Sequence, residues 1–334
     1  MKIIFTICSN NYLTQAKALG DSIMKQNPDY KFIICLCDRK RSDLDYSFFE
    51  PYEIIEAHKI GIENFNDMCQ RYDIVELNTS VKPFMFDYIY KNFDDAQYVM
   101  YFDPDTYVFD KLVAIEDELS DFSMLLTPHI YLPIEFDGES PTENLFTRHG
   151  LYNLGFLATR KSENTNEMLN WWMRRLEINC YDNANEGVFV DQLPMNYAPI
   201  FFKGVKISEN WGLNMAPWNL QERNLTISDH KYSVNNKYPL IFYHFSNCNP
   251  LLPDLLSTYY TRVTFEGNEI LKKAYDEYKS EVLNNNYEGF TQIKCTYSKG
   301  TSKRPQIKKT STLLKTLKYL KKYPLFIFRK DFWI

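Results

Sequence analysis

Residues 97–102 (QYVMYF) form an apolar run that stops abruptly at Asp103-Pro104-Asp105. A short aromatic-rich run of this kind predicts a strand buried on both faces. Such a strand needs helices on either side of its sheet. The rest of the front half agrees. Residues 2–8 (KIIFTIC) and 31–37 (KFIICLC) predict strands, and residues 52–56 a third. Residues 13–26 carry Leu13, Ala16, Leu19 and Ile23 at helical spacing, and residues 72–91 predict a helix that Pro83 breaks or kinks. Alternating strands and helices predict an α/β chain built on a parallel sheet.

The back half is less regular. Strand signals lie at 122–126, 153–159, 204–208 and 239–245, and a helix is expected over 163–178. Residues 254–283 contain further helical stretches, and residues 296–311 read as a polar, basic linker. In open α/β sheets, ligands bind outside the carboxyl ends of the strands. Asp103 and Asp105 stand at such an end. Two carboxylates that close repel each other unless a cation lies between them, and oxygen ligands suit Mg²⁺ or Mn²⁺. Asp-Pro-Asp is also ordinary turn chemistry, which is the structural alternative.

Composition narrows the setting. Only 11 of the 334 residues are glycine, so glycine-rich phosphate loops are scarce. The seven cysteines are odd in number and scattered, which suits reduced thiols in a cytosolic protein. MKIIFTICSNNYL reads as a first strand rather than a signal peptide. The net charge of −5 hides a split: residues 299–334 hold eleven Lys and Arg against one acid, +10, which leaves −15 for the body. An acidic body does not suit nucleic acid. Within the basic end, residues 311–323 place Leu313, Leu317 and Leu320 on one helical face, which suits an anionic membrane interface or docking on the protein itself.

The order of an N-terminal strand, ELNTSVKP, YFDPDTYVF, YNLGFLATR, VDQ and YHFSN resembles the GT-A class of nucleotide-sugar glycosyltransferases. The layout is nearest to family 8, and NWGLNMAPWNLQER and PLIFYHFSN resemble a bacterial capsule and O-antigen subgroup. The resemblance covers about residues 1–250. It implies an α/β, GT-A-like Rossmann-type mixed sheet flanked by helices, with a C-terminal helical extension. Residues 1–250 would form the catalytic domain, with 1–110 as nucleotide-binding half and 111–250 as acceptor half. Residues 251–295 would be a helical extension and 296–334 a basic amphipathic tail.

The resemblance also implies roles. Asp103, Asp105 and His244 would hold Mn²⁺ or Mg²⁺. Lys82, Thr6, Asn10, Tyr12, Asp38, Asn153 and Gly155 would bind the nucleotide-sugar donor, a UDP-sugar by class. Asp191 and Gln192 would lie at the anomeric carbon, with Asp191 the general base if the enzyme inverts. Trp211, Asn214, Trp218 and Asn219 would hold a glycan or lipid-linked glycan acceptor. Ser246, Asn247 and Asn249 stand where family 8 usually carries a glycine and a lysine for the diphosphate. The setting implied is cytoplasmic, peripheral at the inner face of the cell membrane. Two other readings compete. A sugar nucleotidyltransferase would show an early glycine-rich loop, and residues 5–19 contain no glycine. A non-catalytic carbohydrate-binding or scaffold protein on the same fold is separated only by turnover.

Overall fold

The computed structural model describes residues 1–297, and the tail helix expected over 311–323 lies outside the described residues. In chain order the front half holds β1 (Lys2–Cys8), α1 (Leu13–Gln26), β2 (Tyr30–Leu36), β3 (Glu53–Glu56), α2 (Phe65–Arg71), α3 (Ile74–Asn92), β4 (Tyr98–Phe102) and β5 (Thr106–Val108). Then come α4 (Val113–Asp121), β6 (Met124–Leu126), α5 (Glu143–His149), β7 (Phe156–Arg160), α6 (Glu163–Asn179), β8 (Asp182–Asn183), β9 (Val188–Phe189) and α7 (Ala198–Phe201). The last elements are β10 (Val205–Ile207), β11 (Leu225–Ser228), β12 (Lys231–Val234), β13 (Tyr238–Pro239), β14 (Phe242–His244), α8 (Glu269–Asn284) and α9 (Tyr287–Thr291).

Seven strands form the central sheet in the order β10-β6-β7-β4-β1-β2-β3. Neighbours pair in parallel except where β7 meets β4 and β6, so β7 alone runs against the others. This is the mixed, helix-flanked α/β sheet expected. Alternation in β1 sends Ile3, Phe5 and Ile7 into the core beneath α3, and Ile4 and Cys8 into the core beneath α1. Strand β4 divides in the same way, with Val99 and Tyr101 on the first side and Met100 and Phe102 on the second. Both faces of these strands are buried, which is why they read as continuous apolar runs. After β3 the chain returns to the other side of β1 to make β4. The crevice at that switch point lies at the carboxyl ends of β1 and β4.

Helix α3 runs unbroken through Pro83, where a break or kink was expected. Proline forfeits the N–H that would reach the Thr79 carbonyl. Burial compensates: Leu77, Val81, Met85, Phe86 and Ile89 are fully buried along this helix. Its start is also capped. The Asp73 carboxylate accepts from Val75 N and Glu76 N, both at 2.9 Å, while Glu76 accepts from Asp73 N at 3.0 Å. The second Glu76 oxygen accepts from Asp182 N at 2.9 Å and ties the helix start to β8.

One expectation for the back half is corrected. The strand read over 239–245 is two short pieces, β13 and β14, in different sheets. The helix expected within 254–283 is α8, which begins at Glu269. The part before it is held by side chains of the 137–141 loop instead, with the Arg262 guanidinium bound to the Asp137 carboxylate. All seven cysteines are free thiols. Among the described residues, no helix is long and apolar enough to cross a membrane.

The cap makes a prediction. Asp73→Ala should lower unfolding stability by about 1 kcal/mol, read as a shift of the urea midpoint with an unchanged slope.

Candidate active site

Strand β4 ends in a turn. Asp103 N–H donates to the Gly155 carbonyl at 2.7 Å, and Thr106 N–H closes back on the Asp103 carbonyl at 3.1 Å. Proline in the second position suits that turn. The turn and the acidic strand end are therefore one object. Strand β5 follows at once and pairs antiparallel with β14, which sets His244 opposite Thr106. Phe245 N–H also donates to the Asp105 carbonyl at 2.7 Å. This pairing brings the His244 Nε2 atom to 3.1 Å from Asp105 Oδ1 and 3.8 Å from Asp103 Oδ2.

Ligand atoms of Asp103, Asp105 and His244 lie within 4.8 Å of one another, the one such group among the described residues. Two carboxylates and an imidazole suit Mg²⁺ or Mn²⁺, and the nitrogen favours Mn²⁺. Without a metal the histidine stands in for it. Burial pulls the His244 imidazole down, but Asp105 and Asp103 outweigh this and hold it above its ordinary value. Burial pushes the Asp105 carboxyl up, and His244 reverses that to a net fall. Gly155 makes room for this ring: a Cβ there would stand 2.4 Å from His244 Cε1 and 2.6 Å from Nδ1. Gly155 also lines the larger cleft, where a donor was expected.

Lys82 is buried on α3 and faces the same carboxylates. Its Nζ lies 2.8 Å from Asp191 Oδ2, 3.5 Å from Asp103 Oδ1, and donates to the Leu154 carbonyl at 2.8 Å. Burial disfavours the ammonium, but Asp103 and Asp191 raise it above its ordinary value, so it stays a cation. Burial raises the Asp191 carboxyl despite Lys82. Tyr101, fully buried beside them, donates its hydroxyl to Asp103.

A net of amides stiffens the backbone beside these charges. Gln192 Oε1 accepts from Leu154 N at 3.0 Å and Asn153 Nδ2 at 3.3 Å, while its Nε2 donates to the His149 carbonyl at 3.0 Å. Asn153 Oδ1 accepts from Gly155 N at 3.1 Å and Asn214 Nδ2 at 3.0 Å. Asn219 accepts from Ala216 N at 2.9 Å and donates to the Asn214 carbonyl at 3.0 Å. Asn214 and Asn219 are thus buried supports of the loop rather than lining residues of the cleft.

Two cavities meet at the acidic turn. One of about 250 Å³ is lined by the end of β1, Tyr12, Val75, Thr79 and the Asp103-Pro104-Asp105 turn. The other, about 760 Å³, holds Lys82, Asp103, Asp105, Asn153, Gly155, Asp191, Gln192, Trp218 and His244. Tyr12 is 44% exposed at the first cavity. The remaining expected residues lie elsewhere. Thr6 is wholly interior. Asn10 donates to Asp38 at 2.8 Å and accepts from Tyr46, and Asp38 also receives Thr296 N at 2.9 Å. Those two side chains tie loops together. Trp211 stacks on Tyr131 at 5.0 Å, away from both cavities.

Sequence reasoning missed His129, Tyr101, Tyr259 and Tyr260. His129 follows the end of β6 as the acidic pair follows β4, and that placement was its only signal. Burial pushes the His129 imidazole down to about 3 from an ordinary 6.5, so it is neutral. The unfolded chain binds this proton below about pH 6.5 and the folded chain does not. Its contribution to stability is present above that pH and is lost as pH falls towards 3. His129→Gln should flatten the loss of urea-unfolding free energy between about pH 6 and 4 relative to wild type. Gly155→Ala should weaken Mn²⁺ binding by about tenfold or more, read from the spectrum of free Mn²⁺ by electron paramagnetic resonance.

No family model matches the chain. It is 25% identical over 242 residues to the uncharacterized protein YfnF of Bacillus subtilis (strain 168), covering 72% of this chain and 80% of that protein. Similar solved structures include the galactosyltransferase LgtC in complex with donor and acceptor sugar analogs, at TM-score 0.48 and 17% identity over 88% of this chain and 98% of that one. The glycosyltransferase GlyE of Streptococcus pneumoniae TIGR4 gives a TM-score of 0.46 at 14% identity, over 88% of this chain and 65% of that one.

Proposed function

We propose that this chain is a metal-dependent glycosyltransferase that moves a sugar from a nucleotide-sugar, a UDP-sugar by class, to a glycan or lipid-linked glycan. The pathway would be synthesis of a bacterial surface polysaccharide. The observation that carries the reading is the meeting of Asp103, Asp105 and His244 at the junction of two cavities, with buried Lys82 alongside. The smaller cavity suits a flat base near Tyr12, and the larger one a sugar and its acceptor.

Asp103, Asp105 and His244 would hold Mn²⁺ or Mg²⁺. A divalent ion there offsets charge on a leaving nucleoside diphosphate. In the transfer, the anomeric C–O bond to the diphosphate breaks and its electron pair leaves with the diphosphate. The acceptor oxygen forms the new bond and gives up its proton. Lys82 adds a fixed positive charge beside Asp103 without needing water to screen it. Asp191, buried 2.8 Å from Lys82, suits a hydrogen bond to a sugar hydroxyl in a retaining reaction, or proton removal from the acceptor in an inverting one. Gln192 keeps the strand beside the sugar in place through its three hydrogen bonds. The +10 charge of residues 299–334 supports placing the enzyme at an anionic membrane surface.

A thermal-shift screen of UDP- and GDP-sugars, with and without Mn²⁺, tests this reading. One nucleotide-sugar should raise the wild-type melting temperature only when Mn²⁺ is present, and Asp105→Ala should not respond. If no nucleotide-sugar stabilises the wild type, the catalytic reading gives way to a carbohydrate-binding scaffold.

A further inference from the structure

Of the four residues expected to bind the acceptor, Trp218 alone lines the large cleft. It is one part of an aromatic wall. Its ring lies 5.1 Å from that of His244, 5.4 Å from His129 and 6.4 Å from Tyr260. His129 in turn stacks on Phe146 at 4.9 Å. Tyr259 lines the same cleft and is 64% exposed. The wall therefore starts at the candidate metal-binding histidine and reaches solvent at Tyr259.

The wall is held together by a clasp. Arg262 binds the Asp137 carboxylate through both terminal nitrogens, with Nη2 to Oδ1 at 2.7 Å. Thr261 N and Arg262 N both donate to the Ser140 carbonyl, at 3.1 and 3.2 Å. The segment bearing Tyr259 and Tyr260 is thereby fastened to the loop that leads into α5 and Phe146. One polar atom on the wall has unused capacity. The Trp218 indole N–H is buried without a hydrogen-bond partner. Buried polar atoms of this kind ask for a ligand hydroxyl or a water.

Charge is divided across the cleft. Lys82, Asp103, Asp105, Asp182 and Asp191 line it, and all five come from α3, the β4 turn and the 182–191 segment. The wall side contributes Ser140, Leu145, Phe146, Asn247 and the two tyrosines, with no Lys, Arg, Asp or Glu. A carboxylate or phosphate placed there would lose hydration, find no Lys or Arg on the wall side and face the acidic cluster. A neutral pyranose would lay its C–H face on the rings and its hydroxyls on the Trp218 N–H and on Ser140 or Asn247.

We propose, granting the glycosyltransferase reading, that the acceptor sugar is a neutral pyranoside held on this wall, with Tyr259 and the Arg262–Asp137 clasp selecting it over anionic sugars.

The test is saturation-transfer NMR on the full chain with Mn²⁺ and UDP. The probes are neutral methyl glycosides of glucose, galactose, mannose and N-acetylglucosamine, each beside its 6-carboxylate and 6-phosphate counterparts. At least one neutral glycoside should bind about tenfold tighter than its charged counterparts, and Tyr259→Ala should weaken it about tenfold. Arg262→Ala should weaken it too, by freeing the clasp. Anionic sugars binding as tightly, no hexoside binding, or an unaffected Tyr259→Ala would each overturn the proposal. Calorimetry of the nucleotide-sugar panel on wild type separates the two levels. If a donor binds and the glycoside pattern is absent, only this inference falls. If no donor binds, the parent reading falls with it.

Discussion

Three carboxylates, those of Asp103, Asp105 and Asp191, are gathered at the carboxyl end of β4 around one permanent cation, Lys82. That imbalance is the constraint on which the site depends. Like charges this close are stable only with opposite charge between them. Lys82 stays protonated although buried, and His244 is pulled towards protonation by Asp105. A divalent cation would satisfy the same field more completely and would release the histidine to act as a neutral ligand. The structure is therefore an anionic pocket with one cation, Lys82, fixed in place and a cluster that could hold a metal ion.

The fold supplies this pocket in two ways. The reversal of strand order at β1 opens a crevice beside the β4 end, and the β5–β14 pair carries His244 back across it. The backbone beside the acids is held by amides rather than by further charges. Asn153, Gln192, Asn214 and Asn219 spend most of their hydrogen bonds on one another and on nearby backbone. Neutral groups fix that backbone without adding charge, which leaves the carboxylates, Lys82 and His244 to set the electrostatics.

Legibility differed sharply between the halves. In the front half, strands and helices are contiguous and buried on defined faces, so the runs at 2–8, 13–26 and 97–102 show themselves. Pro83 does not break α3, because a locally unfavourable residue is carried by the helix's buried face. In the back half, segments are short and their partners are distant. Residues 254–268 form no helix, and Arg262 within them pairs with Asp137, 125 positions earlier. Asn10 and Asp38 look free in sequence, and a hydrogen bond across 28 positions joins them. Trp211 and Trp218 look equivalent, but only one faces the cleft.

By itself, the sequence determined the class of the sheet, the acidic end of its most apolar strand and the candidate metal-binding residue types. These follow from local periodicity and from the chemistry of single side chains. The tertiary structure brings the expected His244 to the acids, packs Gly155 against its imidazole, and makes the outer wall aromatic and uncharged. Those facts depend on contacts between residues distant in sequence, Asp105 with His244 and Arg262 with Asp137 among them. Local propensity carries no information about such contacts, because their energy appears only once the intervening chain has packed.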